Sequence, residues 1–183
     1  MTDNERIDEL KNVTRKAQAV IDKQTALIND LWTLFSNSNR PLQYFAPVHQ
    51  TKFDILHSNC FAACIATLIG KPLSFFEGVD ETIGPEWAWN MSKRVHEAGF
   101  AMLLCKDMPG QPILSYIDGM YHIISGLSPR GDLHAVVVKA VNAGQTTLLD
   151  IVHDPHPDGG GLRSVNMHTF IIPLARTSIQ VQT

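Results

Sequence analysis

Asn59-Cys60-Phe61-Ala62-Ala63-Cys64-Ile65-Ala66-Thr67-Leu68-Ile69-Gly70 is the stretch from which the rest of the chain can be read. Its apolar run predicts a buried helix, closed by Gly70 and followed by Pro72. Residues 85–98 read as a second helix, opened by Pro85 and closed by Gly99. Short β-prone runs follow at 100–105, 121–125, 135–141, 147–152 and 169–174, separated by Gly, Pro and Asn. Helices first and strands after predict an α+β domain whose sheet is mainly antiparallel.

Upstream the character changes. Of the 33 Asp, Glu, Lys and Arg residues, 11 fall within residues 1–38, and neither Gly nor Pro occurs before Pro41. A long helix is expected there. The positions Ile7, Leu10, Thr14, Ala17, Ile21, Gln24, Ile28, Leu31 and Phe35 alternate in steps of three and four, the spacing of a coiled-coil seam. A second row, Val13, Val20, Leu27 and Leu34, widens the stripe. The expectation is an N-terminal amphipathic coiled-coil helix over 1–38 that self-associates through residues 7–35, joined near residue 40 to a domain over 39–183. Packing of this helix along its own domain is the simpler alternative.

Composition narrows the function. The 15 Lys and Arg against 18 Asp and Glu leave no basic excess for a nucleic-acid polymer. No run approaches the roughly 18 apolar residues that cross a bilayer. Three cysteines without an export-like start fit free thiols in the cytoplasm.

Cys60 stands at the start of its helix, where unpaired backbone N–H groups and the helix dipole favour a thiolate. Cys64, one turn deeper, and Cys105 read as small core residues. His134 precedes Ala135-Val136-Val137-Val138 and is expected at the mouth of that strand, within reach of a reacting proton. Asp154 ends the next strand, in His153-Asp154-Pro155-His156-Pro157. Two adjacent strands would set His134 and Asp154 side by side, with the carboxylate orienting the imidazole.

This order of motifs, Asn59-Cys60 at a helix start, a late His134-Ala135-Val136-Val137 strand and a strand ending in Asp154-Pro155, resembles the papain-like cysteine peptidases, nearest their C39-like branch. The wider set, including Tyr121-His122-Ile123-Ile124-Ser125-Gly126 and Ser128-Pro129-Arg130-Gly131, is similar to small phage and prophage proteins. The resemblance covers residues 50–160. It implies a papain-like α+β domain with a helix bearing Cys60 packed on an antiparallel sheet. Cys60 would be the nucleophile, His134 the base and Asp154 its orienter. Where that family usually has an oxyanion-hole glutamine, about six residues before the cysteine, Asp54 stands here. Gln50 or Asn59 is then the candidate donor, beside the Cys60 backbone N–H.

Substrate contacts are expected from Ser128, Arg130, Trp87, Trp89 and His156. At two residues' spacing, Trp87 and Trp89 cannot share a helix face, so one packs inward while the other lines a groove or meets solvent. No cofactor is expected. A zinc site built from His153, Asp154, His156 and His134 is a weaker reading, because the His153/His156 pair lies on a proline-rich loop. The leading expectation is a cysteine hydrolase, peptidase or acyl transferase acting on a peptide or small molecule. One alternative is a phage-type binding protein on the same fold that captures or degrades a small nucleotide-like signal, with Arg130 and the Asp158–Gly161 loop gripping an anion. Another is an inactive assembly adaptor that works through its coiled coil.

Overall fold

The computed structural model describes residues 46–53, 58–79, 85–106, 118–143 and 146–174, together with residues 6, 9, 11–16, 18, 19 and 22 near the N-terminus. The chain falls into two compact units, Met1–Asn39 and Arg40–Thr183. The described residues of the first unit have helical backbone and are exposed. Local side-chain bonds lie along it, Arg15 to Asn12 at 3.2 Å and Gln18 to Asp22 at 2.9 Å. Of the expected seam and its second row, only Thr14 and Val13 lie among the described residues, Val13 being 58% exposed. Ile7, Leu10, Ala17, Val20, Ile21, Gln24, Leu27, Ile28, Leu31, Leu34 and Phe35 lie outside them. Among the described residues no helix is long and apolar enough to cross a membrane.

The second unit is α+β. Helix α1 spans Cys60–Ile69 and every residue of it is buried. Gly70 ends it in the left-handed conformation, φ 65° and ψ 39°, and returns its N–H to the Ala66 carbonyl, a cap that glycine reaches without steric cost. Thr67, the polar residue inside this apolar helix, is satisfied twice: its hydroxyl donates to Ala63 O and accepts the Val48 N–H, each at 2.9 Å. A 3-10 turn, Leu73–Phe76, which the sequence reading did not anticipate, drives Phe76 into the core. Helix α2 spans Pro85–Glu97 and buries Met91 and Val95, four residues apart on one face.

Five strands make one antiparallel sheet: β1 Phe100–Lys106, β2 Tyr121–Leu127, β3 Leu133–Ala143, β4 Thr146–His153 and β5 Ser164–Pro173, in the order β1-β5-β2-β3-β4. Ala135, Val137, Ile123 and Ile171 face α1 and form one core with Ile65, Leu68 and Phe76. Val136, Val138 and Ile124 build a second cluster, and Ala140 with Phe170 a third. The sheet is therefore buried on both faces, which explains the unbroken apolar run of β3.

Two expectations need correction. β5 begins at Ser164, not at residue 169, because β2 pairs with its polar first residues, Ser164 opposite Leu127 and Val165 opposite Gly126, before β1 joins on the other side at Met167. β3 begins at Leu133, so His134 sits inside the ladder opposite Gly126 and not at the strand's mouth.

Candidate active site

Three elements converge on Cys60. As the first residue of α1 it lies where backbone N–H groups have no intrahelical partner. β3 brings His134 to its side chain, and β4, hydrogen-bonded along β3, delivers Asp154 just past its end. His134 Nε2 meets Asp154 Oδ1 at 2.8 Å. With Nε2 so engaged, Nδ1 is the ring nitrogen left for the hydrogen bond with Cys60. These are the three residues that motif order and the papain-like resemblance single out, and the structure brings their side chains together.

The carboxylate is built into its loop. Besides the His134 bond, Asp154 Oδ1 accepts the His156 N–H at 2.9 Å and Oδ2 accepts the Gly161 N–H at 2.8 Å. Burial pushes the Asp154 carboxyl up, but the His134 bond and these two backbone donors outweigh it and hold the group down at about 2. Burial likewise pushes His134 down, yet its bonds to Asp154 and Cys60 and the charges of both carry it up to about 9. The Cys60 thiol is raised by burial and lowered by hydrogen bonds with His134 and Ser58, by the His134 charge and by the Ala135 backbone, with a net fall. These directions favour a thiolate and imidazolium pair. Cys64 is the contrast: fully buried, with Sγ 3.4 Å from the Ala135 carbonyl, it is driven well up by burial and by the neighbouring Cys60. Burial alone raises Cys105.

The remaining candidates separate by what they touch. Gln50 is buried; its backbone N–H donates to Pro155 O and its Nε2 to Lys52 O, both at 3.1 Å, while Oε1 has no partner among the described residues. Asn59 spends its amide on a loop: Oδ1 accepts the Thr51 and Lys52 N–H groups at 3.0 and 3.1 Å, and Nδ2 donates to Thr51 Oγ1. Asp54 lies outside the described residues. Ser128 is buried in the β2–β3 turn, where its hydroxyl donates to Asp132 and accepts the Arg130 N–H. Arg130 pairs with Asp132 at 3.7 Å, and its Nη1 lies against Gly160, where an added Cβ would stand 3.1 Å away. Trp87 packs edge-on against Phe61, ring centres 4.9 Å apart, whereas Trp89 is 73% exposed. His156 stands edge-on to His134, 6.2 Å between ring centres.

Among the described residues no group of three or more His, Cys, Asp or Glu side chains is placed to hold a metal ion. His153 instead gives Nε2 to the Val48 carbonyl at 2.9 Å. Ser58 and the backbone donors of His156 and Gly161 were not singled out from the sequence. A hydroxyl two residues before Cys60 was a visible signal, but a main-chain donor leaves none.

Compared with models of known protein families the sequence matches none, and a comparison with curated proteins likewise finds no match.

Proposed function

We propose that the protein is a cysteine hydrolase or acyl transferase of papain-like architecture, with Cys60 as nucleophile, His134 as proton carrier and Asp154 as its orienter. The single observation that carries this reading is the chain of contacts from Cys60 at a helix start through His134 to a carboxylate held by two backbone N–H groups. Cys60 Sγ attacks the acyl carbon of an amide or ester. The carbonyl oxygen takes up the negative charge beside the unpaired N–H groups at the start of α1, that of Cys60 among them. As the carbon–nitrogen or carbon–oxygen bond breaks, the His134 proton passes to the leaving group and the acyl group remains on Cys60 as a thioester. Water, or an acceptor amine, then gives a proton to His134 and displaces the thiolate, releasing the acid or the transferred product.

Self-association through residues 7–35 belongs to the same proposal, as the use of the N-terminal helix. The deciding experiment for the chemistry incubates the full chain with peptidyl thioesters and follows acyl-Cys60 by mass spectrometry. Acylation of wild type and none of Cys60→Ser or His134→Ala is expected. Equal acylation of Cys64 or Cys105 would remove the reading.

A further inference from the structure

In the reaction proposed above, the leaving group takes its proton from the His134 nitrogen that faces Cys60. The departing half of a substrate then passes beside the His134 ring, and what borders that ring is what it can meet. One border is a row of aromatic rings. His156 stands edge-on to His134, with ring centres 6.2 Å apart and planes at 87°, and Phe53 stands edge-on to His156 at 5.2 Å and 83°.

His156 is held from two sides, and the backbone that leads into Phe53 is pinned. The His156 N–H is bound to Asp154, and His156 Nδ1 accepts the Asp158 N–H at 3.1 Å. The segment leading into Phe53 is fixed by Asn59 Oδ1, which takes the Thr51 and Lys52 N–H groups, and by the Gln50 N–H on Pro155 O. The loop that carries the orienting carboxylate and the loop that carries Phe53 are thus tied to each other. Phe53, at the end of the row, is 50% exposed, while Cys60 and His134 are 6% and 3% exposed. A solitary exposed hydrophobe needs no explanation, and Trp89 is more exposed still. Phe53 differs in belonging to a pinned row that begins at the proton carrier, where a ring brought in by a substrate gains edge-to-face or offset contacts without ordering a loop first.

We infer that Phe53 and His156 form a shelf for an aromatic ring on the leaving-group half of the substrate, so that acyl bonds to amines or alcohols bearing such a ring are cleaved in preference to their aliphatic counterparts. This rests on the hydrolase reading and adds the chemistry of the departing group to it.

The test uses one mixed peptidyl library made twice, ending in 2-phenylethylamide or in 2-cyclohexylethylamide, two leaving amines of similar size and basicity. The full chain is given each, and released amine and acyl-Cys60 are followed together. The phenyl series is expected to be favoured in kcat/KM by about three- to tenfold, the worth of one aromatic pair. Phe53→Leu is expected to bring the ratio near one and Phe53→Tyr to keep it, both with unchanged iodoacetamide labelling of Cys60. Equal rates for the two series in wild type, or a preference that survives in Phe53→Leu, would overturn the shelf while leaving the hydrolase reading intact. Absence of acyl transfer to Cys60 from either series would overturn both.

Discussion

Gly126 lies directly opposite His134 across β2 and β3, and a Cβ added to it would run into the Ser164 carbonyl of β5. The register of β2 against β5 shifts between Ser125 and Gly126, beside the position that pairs with His134. Gly126→Ala must push β5 or β2 aside, and the displacement falls on His134. A loss of about 1–3 kcal/mol is expected, the range for overpacking. Labelling of Cys60 should slow in the molecules that still fold. Urea unfolding and iodoacetamide kinetics on the same preparation measure the two effects, and an unchanged labelling rate would refute the link to His134.

Asp154→Asn is expected to cost more than the loss of orientation alone. With Asn Oδ1 kept toward His134 and His156, its Nδ2 would face the Gly161 N–H, donor against donor; the flipped amide fails against His134 and His156 instead. One buried donor left unpaired costs about 1–3 kcal/mol. The melting temperature of Asp154→Asn should therefore fall about as far as that of Asp154→Ala. A fully stable but inactive Asp154→Asn would show that the loop tolerates an amide.

Stability against pH should show two regimes. His122, buried at the centre of the sheet with Nε2 3.1 Å from His168 Nδ1, is pushed by burial and by His168 down to about 3. The unfolded chain takes up that proton first, so stability declines as pH falls from about 6.5 toward 3. Asp154, held at about 2, adds its own loss below its ordinary carboxyl value, as pH falls through about 2. Unfolding by urea across this range reads the slope, and a stability independent of pH between 6 and 4, on the order of two pH units, would contradict it.

On the alkaline side two groups oppose each other. His134, raised to about 9, contributes stability that is complete below about 6.5 and lost as pH rises through about 9. Cys60, lowered, contributes stability present above its ordinary thiol value and lost as pH falls through its folded value. Where both are shifted, the native pair and the unfolded pair bind nearly the same number of protons, so wild-type stability should be nearly flat. In Cys60→Ser the His134 contribution shrinks to the part that Asp154 supplies, and with no thiol to offset it stability should decline as pH rises above about 6.5, over a narrower range and at no more than about 1.4 kcal/mol per pH unit. Parallel profiles for the two proteins would deny the ion pair.

Removal of residues 1–38 should leave a folded unit of lower association state. Light scattering on both forms gives the masses, and circular dichroism shows whether the remainder keeps its fold. A full-length monomer at high concentration would defeat the proposed use of the helix.

The α+β class and the pairing of His134 with Asp154 could be read because each depends on local order, an apolar run with its glycine stop and two consecutive strands that pair as neighbours. The approach of Cys60 to His134 is long-range and is suggested by motif order and by the family resemblance. The place of β5 between β1 and β2 could not be read, since nothing local in Ser164-Val165-Asn166-Met167 shows that β2 pairs with its start and β1 joins it at Met167. The role of Gly161 was hidden for a different reason. Its contribution is a backbone N–H, which every residue but proline owns, and only the path of the 154–161 loop aims it at Asp154. Asn59 beside Cys60 suggested an oxyanion donor by adjacency, whereas its amide is occupied with the Thr51–Lys52 backbone.

The strand order also governs how the chain is completed as it leaves the ribosome. β2, β3 and β4 are consecutive and can zip as a meander with His134 and Asp154 already neighbours. β1 has no partner within the sheet until β5, the last of the described strands to be made, enters between it and β2. Long-range pairing of this kind is slow, and until it occurs the edge of β2 stands open. Cys60 is synthesised early, but the sheet closes along β2 only when residues 164–173 arrive, so a nascent chain stopped short of them would carry Cys60, His134 and Asp154 without a finished sheet to hold them.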